Sequence, residues 1–358
     1  MTSEKLVGVK TTKIYCLPSC TARAPLPQNV VEFDTAAQAE RSGFRPCKHC
    51  FPDFPYGKWV DESASVLLIP PREFDFLQCL KYLARSPQEP CHLVEKNILY
   101  KLEKFEGRPV LIKIQGRNHK FICIDFLTPR PKKSIRALVA KYVWHWFDLD
   151  TDLKPFYRMA QKDPVLHNIV QDFYGLRILT IPDLFEALSW AIIGQHINLA
   201  FAYALKKRFV ESYGEKYCFD KKQYYLFPTP QAISQLNVEE LKRLQFTAKK
   251  SEYIIELAIK MTAGDLSKKS LLAEDGFKTA GRKLMQLNGV GQWTADYVGL
   301  RCLRDPAAFP VADVGLQNAV KRQLGLKQKP TADDILKLSG PWQNWQAYAT
   351  FYLWASLI

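Results

Sequence analysis

Residues 284–316, LMQLNGVGQWTADYVGLRCLRDPAAFPVADVGL, limit what this chain can fold into more than any other stretch. Leu284 and Leu287 close one predicted helix, Asn288-Gly289-Val290-Gly291 turns, and Trp293-Thr294-Ala295-Asp296-Tyr297 opens a second, so two helices must pack across a very short hairpin. Gly289 and Gly291, one on each side of an apolar residue, permit the positive φ and the close backbone approach that such a turn demands. The N–H groups of the turn and of the helix start behind it then face outward, where they suit an anion such as a phosphate. A short apolar loop, FPVADVGL, next carries a single carboxylate, Asp313, into a further helix. That acid reads as an N-cap for a helix beginning at Val314, as a reacting group, or as both.

The chain has 358 residues, enough for two or three domains, and its 47% hydrophobic and 13% aromatic content allows substantial cores. Its net charge of +14 favours a polyanionic partner through counterion release. A membrane surface is the competing partner. Against it, no apolar run is long enough to span a bilayer, and Lys5 and Lys10 interrupt the first segment, which therefore does not read as a signal peptide. An intracellular protein with no membrane partner is expected. Nine cysteines, an odd number in a reducing compartment, do not read as a disulfide set. Cys79, Cys91, Cys123, Cys218 and Cys302 stand singly and are expected to be small buried hydrophobes.

The other four cysteines cluster. Cys16 and Cys20 form a C-x₃-C pair, and Cys47 and Cys50 a C-x₂-C pair, all within a segment too short to build much core of its own. Two such thiol pairs predict a structural four-cysteine Zn²⁺ site. The FPDFPYGKWVDESAS stretch that follows has linker composition. From Val66 onward, a short helical pattern at Leu77–Leu83 and alternating stretches at Val110–Ile114 and Phe121–Asp125 predict a small antiparallel α+β domain. The basic TPRPKKS stretch, residues 128–134, reads as an exposed loop. Beyond it the pattern is helical almost to the end, with breaks at proline or glycine. The expected fold class is thus α+β multidomain: a zinc domain at 1–55, a linker at 56–65, the small α+β domain at 66–133 and an α-helical region at 134–358 with its hairpin at 284–297.

The hairpin, the WTA-x-Y that follows it and Asp313 twenty residues after Trp293 closely resemble the helix-hairpin-helix DNA glycosylases of the AlkA type. The resemblance implies an enzyme that turns an alkylated base out of double-stranded DNA, binds it against aromatic faces and hydrolyses its N-glycosidic bond. It makes Asp313 the essential carboxylate and assigns Trp293, Tyr297 and Trp354 to the base pocket, with Tyr82 as a further aromatic. Trp293 and Tyr297 share a helical face, although aromatic residues at that spacing also serve as ordinary core. Gly289 and Gly291 would meet the DNA backbone, and the carbonyls of Met285, Asn288 and Val290 match positions that hold a monovalent cation in relatives. The segment SWAIIGQHI, residues 189–197, is similar to the one that supplies the residue wedged into the duplex, which places Gln195 and His196 at the DNA. His196 departs from the apolar wedge often found there. Trp293 stands where strand-cleaving members carry a Schiff-base lysine, so a monofunctional glycosylase is expected.

The N-terminal segments VKTTKIYCLPSC and GFRPCKHC resemble the Ada-type DNA alkylation-repair domain. That resemblance makes Cys16 both zinc ligand and acceptor of a methyl group from a DNA methylphosphotriester, with Cys20, Cys47 and Cys50 completing the metal site. It also makes Thr12, Arg23 and Arg45 contacts to the DNA backbone. Lys13 replaces a glycine common in that family, and no helix-turn-helix activator region follows. Two alternatives stay open: a methyl-damage-sensing DNA-binding regulator, and a glycosylase whose zinc domain is only a structural DNA anchor. The resemblances together imply a monomeric, cytoplasmic bacterial protein acting at the nucleoid in base excision repair.

Overall fold

The structure, a computed structural model, describes residues 5–18, 20, 24–34, 36–47, 58–62, 64–118 and 120–358; Arg23, Cys50 and residues 56, 57 and 63 of the expected linker lie outside the described residues. The linker expectation at 56–65 gives way to a strand, Trp59–Asp61, paired with Ser65–Leu68. The chain forms two compact units, Met1–Pro70 with Glu103–Trp144, and Pro71–Leu102 with His145–Ile358.

In the first unit, strands run in the order Val30–Phe33, Leu6–Val9, Ile14–Cys16 and Arg45–Pro46. The last pair is parallel, with Ile14 opposite Arg45 and Tyr15 opposite Pro46. Leu6, Tyr15, Leu17, Phe33, Ala39, Phe44 and Cys47 make a small core, the situation in which a metal does much of the folding work. Lys13 closes the tight turn before Ile14 at φ 52°. That is the left-handed geometry for which glycine is suited, so the substitution keeps the turn at a cost of about 1 kcal/mol. The Lys13 ammonium lies 4.6 Å from the Phe44 ring centroid, which offsets about 0.5–1 kcal/mol of it.

The same unit contains antiparallel strands Trp59–Asp61, Ser65–Leu68, Phe121–Phe126 and Arg108–Arg117 in that order. Ile124 faces Val66 on one side and Ile114 on the other, as the alternation predicts. Asp61 accepts two bonds from Arg136, at 2.8 and 2.7 Å. The TPRPKKS stretch is only partly a solvated loop, because Thr128 is buried and a helix, Lys133–Trp146, already begins within it.

The second unit packs helices Leu184–Gly194, Leu199–Tyr213, Ala248–Ala263, Phe277–Leu284 and Gln292–Val298 around Phe185, Trp190, Phe209, Ile254, Leu257 and Val298. It is not helical throughout. The break at Tyr213-Gly214 leads into a β-hairpin of Lys216–Phe219 and Lys222–Tyr225. Asp220 and Lys221, at φ 45° and 60°, form the two-residue turn that matches strand twist. Alternation along the first strand turns Cys218 outward: it is exposed, whereas Cys79, Cys91, Cys123 and Cys302 are buried as expected.

A buried charge cluster ties the start of this unit to its helices. Lys206 Nζ donates to both oxygens of Glu89 at 3.0 Å and to Glu186 at 3.0 Å. Burial works against the Glu89 carboxylate, but the Lys206 ammonium outweighs it and brings Glu89 down to about 2. Burial likewise pushes the nearby His92 imidazole down from 6.5 to about 4, against the pull of Glu89. Its Nε2 lies 3.1 Å from the Leu83 carbonyl oxygen. Both pKa values are lower folded than unfolded, so the unfolded chain binds more protons in each window. The stabilisation from His92 is therefore full above pH 6.5 and lost as pH falls to about 4. Urea midpoints are expected to fall across this window, and His92→Gln should flatten that part of the profile while keeping most of the loss below pH 4.5, which Glu89 and Glu186 contribute through Lys206. An unchanged slope in the variant would contradict this assignment.

Candidate active site

The first hairpin helix ends at Leu284 with Met285 as its cap, so Leu287 belongs to the turn and not, as expected, to the helix. Val290 N donates to Leu287 O at 3.1 Å, closing the turn before the helix Gln292–Val298 starts. The two glycines do different work. Gly289 takes φ 78° with the Tyr253 ring against it, and a Cβ there would lie 2.2 Å from that ring. Gly291 has φ −94°, and a Cβ built on it would meet nothing within 4 Å. Only Gly289 thus uses left-handed geometry; Gly291 leaves the start of the second helix open to an approaching group.

Asp313 caps the helix Val314–Gln323, its Oδ1 accepting from Leu316 N at 2.8 Å. The same carboxylate accepts from the indole N–H of Trp354 at 2.8 Å and from that of Trp293 at 3.1 Å. Capping and presentation of the acid coexist, because the cap uses one oxygen and Trp293 reaches the other. Asp313 and Trp293 line an open cleft of about 1180 Å³, together with His196, Lys250, Gly289 and Gly291. Gly315 was not singled out in the sequence, yet a Cβ there would lie 2.9 Å from Asp313 Oδ1 and 3.4 Å from the Trp354 ring. Its smallness lets that indole reach the acid.

Behind the acid stands an aromatic stack. The Trp293 and Tyr297 rings are stacked with centroids 5.6 Å apart and planes inclined at 28°, and Tyr297 and Trp354 are 5.8 Å apart. The Tyr297 hydroxyl oxygen accepts from Trp190 Nε1 at 2.8 Å and from Arg301 Nη1 at 3.1 Å. Arg301 sits in a π-helical turn, Gly299–Leu303, directly after the hairpin helix, and its Nε donates to Leu179 O at 2.8 Å. Tyr82 joins the cluster one step further in, packed on Phe351 at 4.4 Å and within 3.5 Å of Arg301 Nη1. Asp296, on the same hairpin helix, is pushed up to about 6 by burial, against the bonds donated by Gln292.

His196 is exposed at φ 56° on the rim of the cleft. Gln195 lines the same cleft, its amide nitrogen donating to Gly289 O at 2.8 Å and to Thr294 Oγ1 at 3.0 Å. Arg301, Tyr253 and Lys250 had no signal in the sequence beyond ordinary helix patterning, and Trp190 and Thr294 stood inside the quoted motifs without a role of their own.

In the other unit, the parallel pairing of Ile14–Cys16 with Arg45–Pro46 brings distant cysteines together. Cys47 N donates to Tyr15 O at 2.9 Å, and Cys20 N to Leu17 O at 3.0 Å. The sulfur atoms of Cys16, Cys20 and Cys47 lie within 4.8 Å of one another. That spacing suits thiolates sharing one tetrahedral Zn²⁺ with Zn–S bonds of about 2.3 Å. Cys47 is buried, Cys16 partly accessible, and Thr12 and Arg45 exposed.

Residues 189–344 match the family described as HhH-GPD superfamily base excision DNA repair protein, and residues 70–188 the 8-oxoguanine DNA glycosylase N-terminal domain. A DNA-3-methyladenine glycosylase of Bacillus subtilis (strain 168) is 44% identical over 301 residues, which is 84% of this chain and 99% of that protein. The chain belongs to the DNA-3-methyladenine glycosylase family. Residues 2–53 match the metal binding domain of Ada. A bifunctional transcriptional activator/DNA repair enzyme, AdaA, of Bacillus subtilis is 48% identical over 57 residues, 15% of this chain and 27% of that protein. With this match and the cysteine cluster, the N-terminal module is a zinc-binding one. The solved 3-methyladenine DNA-glycosylase from Archaeoglobus fulgidus shares the fold, with a TM-score of 0.71 at 23% identity over 80% of this chain and 96% of that one.

In this glycosylase the two hairpin glycines should separate in experiment. Gly289→Ala meets both the Tyr253 ring and a left-handed backbone, and should cost about 2–4 kcal/mol in denaturation. Gly291→Ala should fold within about 1 kcal/mol of wild type but bind duplex DNA more weakly in a fluorescence titration. Equal stability losses in the two variants would refute the distinction.

Proposed function

We propose that this protein is a monofunctional DNA glycosylase that removes alkylated bases of the 3-methyladenine and 7-methylguanine type from duplex DNA. The observation that carries the reading is the Asp313 carboxylate, held in an open cleft by the indoles of Trp293 and Trp354 beside the Tyr297 ring. Alkylation at these ring nitrogens makes the base cationic and a good leaving group, so the catalyst needs little acid. Trp293, Tyr297 and Trp354 offer π faces to the extruded cationic base, with Tyr82 behind them. Asp313 faces the sugar, stabilising positive charge as the C1′–N bond breaks or steering water onto C1′. The bonding electrons leave with the base, water adds to C1′, and a proton is released. His196 stands in the gap left by the base, and the open backbone around Gly291 receives a phosphate. The carbonyls of Met285, Asn288 and Val290 take the monovalent cation.

The functional modules follow the divisions 1–55, 66–133 and 134–358. In the first, bound zinc keeps sulfur as thiolate at neutral pH. Cys16, the more accessible thiol beside buried Cys47, takes methyl from a methylphosphotriester: an S–C bond forms, the C–O bond breaks and the phosphodiester leaves as an anion. Thr12, Arg23 and Arg45 hold the DNA backbone there. The protein acts as a monomer on DNA in the cytoplasm of a bacterium; among the described residues no helix is long and apolar enough to cross a membrane.

Wild-type protein should release free methylated bases from alkylated duplex DNA, and Asp313→Asn should lose at least about 100-fold of the rate with DNA binding kept. Strand cleavage trapped by borohydride would contradict the monofunctional reading. Incubation with methylphosphotriester DNA should add one methyl group to the intact mass of wild type and not of Cys16→Ser. Failure to add it would leave the zinc module as a structural DNA anchor.

A further inference from the structure

The side chain of Lys250 is buried with its ammonium at the edge of the cleft. Its Nζ donates to the carbonyl oxygens of Ile193 and Gln195, each at 2.7 Å. These are the last carbonyls of the helix Leu184–Gly194 and its cap, groups that no further helical turn satisfies and that carry the negative end of the helix dipole. Among the described residues no carboxylate shares this ammonium. Immediately after its second acceptor the backbone enters the left-handed conformation of His196, which an L-residue holds only when its surroundings fix it. Asn198 then caps the next helix by accepting from Phe201 N at 2.9 Å, so the exposed loop is fastened on both sides.

The helix that carries Lys250, Ala248–Ala263, also holds the hairpin. Tyr253 packs against Gly289, and Glu256 accepts from Asn288 Nδ2 at 2.7 Å. Lys250, Tyr253 and Glu256 recur every three residues, which places them along one stripe of the helix. Gln195 closes the circuit by bonding Gly289 and Thr294. We propose that Lys250 is a positioning residue that locks the His196 loop to the hairpin, so that one helix sets the spacing between the group entering the DNA stack and the backbone gripping the strand. Gln195, which also lines the cleft, is its partner in this brace through its amide nitrogen. The inference rests on the glycosylase reading above and adds a residue that acts on extrusion of the base without touching it.

The test uses the full-length zinc-loaded protein and a duplex with 2-aminopurine next to a tetrahydrofuran abasic analogue, so that extrusion is read by fluorescence without chemistry. Wild type should raise the fluorescence on binding; if it does not, the glycosylase reading itself fails. Lys250→Met keeps the stem and removes the donors. It should lower the fluorescence gain and the single-turnover rate on alkylated DNA by at least about tenfold, with affinity for undamaged duplex and its salt dependence unchanged. Lys250→Arg should restore most of the signal. Weaker binding to undamaged duplex with a salt slope reduced by about one would make Lys250 a phosphate contact and overturn the proposal, as would wild-type fluorescence and rate in Lys250→Met. Should that variant fail to fold, Gln195→Leu breaks the same brace at its other end: loss of the fluorescence gain with affinity for undamaged duplex unchanged supports it, and a wild-type response or weakened duplex binding overturns it.

Discussion

The Asp313 carboxylate accepts three N–H groups from three separate places in the chain: the backbone of its own helix, the indole of Trp293 in the hairpin helix, and the indole of Trp354 near the C-terminus. A carboxylate bonded only to water would rotate freely. This one has its direction set by two bulky side chains that are themselves packed on Tyr297. Charge-assisted bonds of this kind are roughly twice as strong as neutral ones, and the arrangement closes only because Gly315 leaves room for the Trp354 ring. Around that carboxylate the C-terminal helix, Gln346–Ala355, the acid loop and the hairpin become one piece.

Buried cations support that piece in different ways. Lys206 is matched by two carboxylates, a satisfied cluster whose value lies in leaving no lone buried charge. Arg301 instead spends its guanidinium on a backbone carbonyl, two tyrosine hydroxyls and the faces of three rings. Its position depends on the π turn that interrupts the helix after the hairpin, a local irregularity that often accompanies functional geometry. An uninterrupted α-helix would shift the register of the residues beyond Tyr297, including Arg301.

Much of this was legible in the sequence where the signal is local. The hairpin, the capping acid and the aromatic pair at i and i+4 are fixed by spacings of a few residues, and the strands at Val110–Ile114 and Phe121–Asp125 by simple alternation. Three of the four expected zinc ligands do converge, since paired thiols in a short segment leave few alternatives. What was not legible depends on pairing at a distance or on which side a residue turns. No local rule says that the amide of Gln195, a residue expected at the DNA, would also find the Gly289 carbonyl 94 residues later. Cys218 looks like any buried cysteine until the Asp220-Lys221 turn fixes the strand's register. Lys250 is one lysine among many until the helix end it caps is placed beside it.

The hairpin helix is the common reference for these parts because adjacent positions on a helix point about 100° apart. Trp293 turns to the acid, and Thr294, one residue on, turns to the loop that carries His196. Tyr297 faces Trp190 and Arg301 beneath the aromatic stack. The group that would enter the DNA, the group that would face the sugar and the rings that would hold the base are therefore all measured from one short helix. A shift of that helix by even 1 Å would move the three together and preserve their mutual geometry, whereas loss of a single strut would let one drift against the others. For an enzyme that must hold an extruded nucleotide and its acid in register, effective molarity depends on that mutual placement. The physical reason for so many cross-chain hydrogen bonds around Gly289–Tyr297 is thus the rigidity of a triangle rather than the strength of any one side.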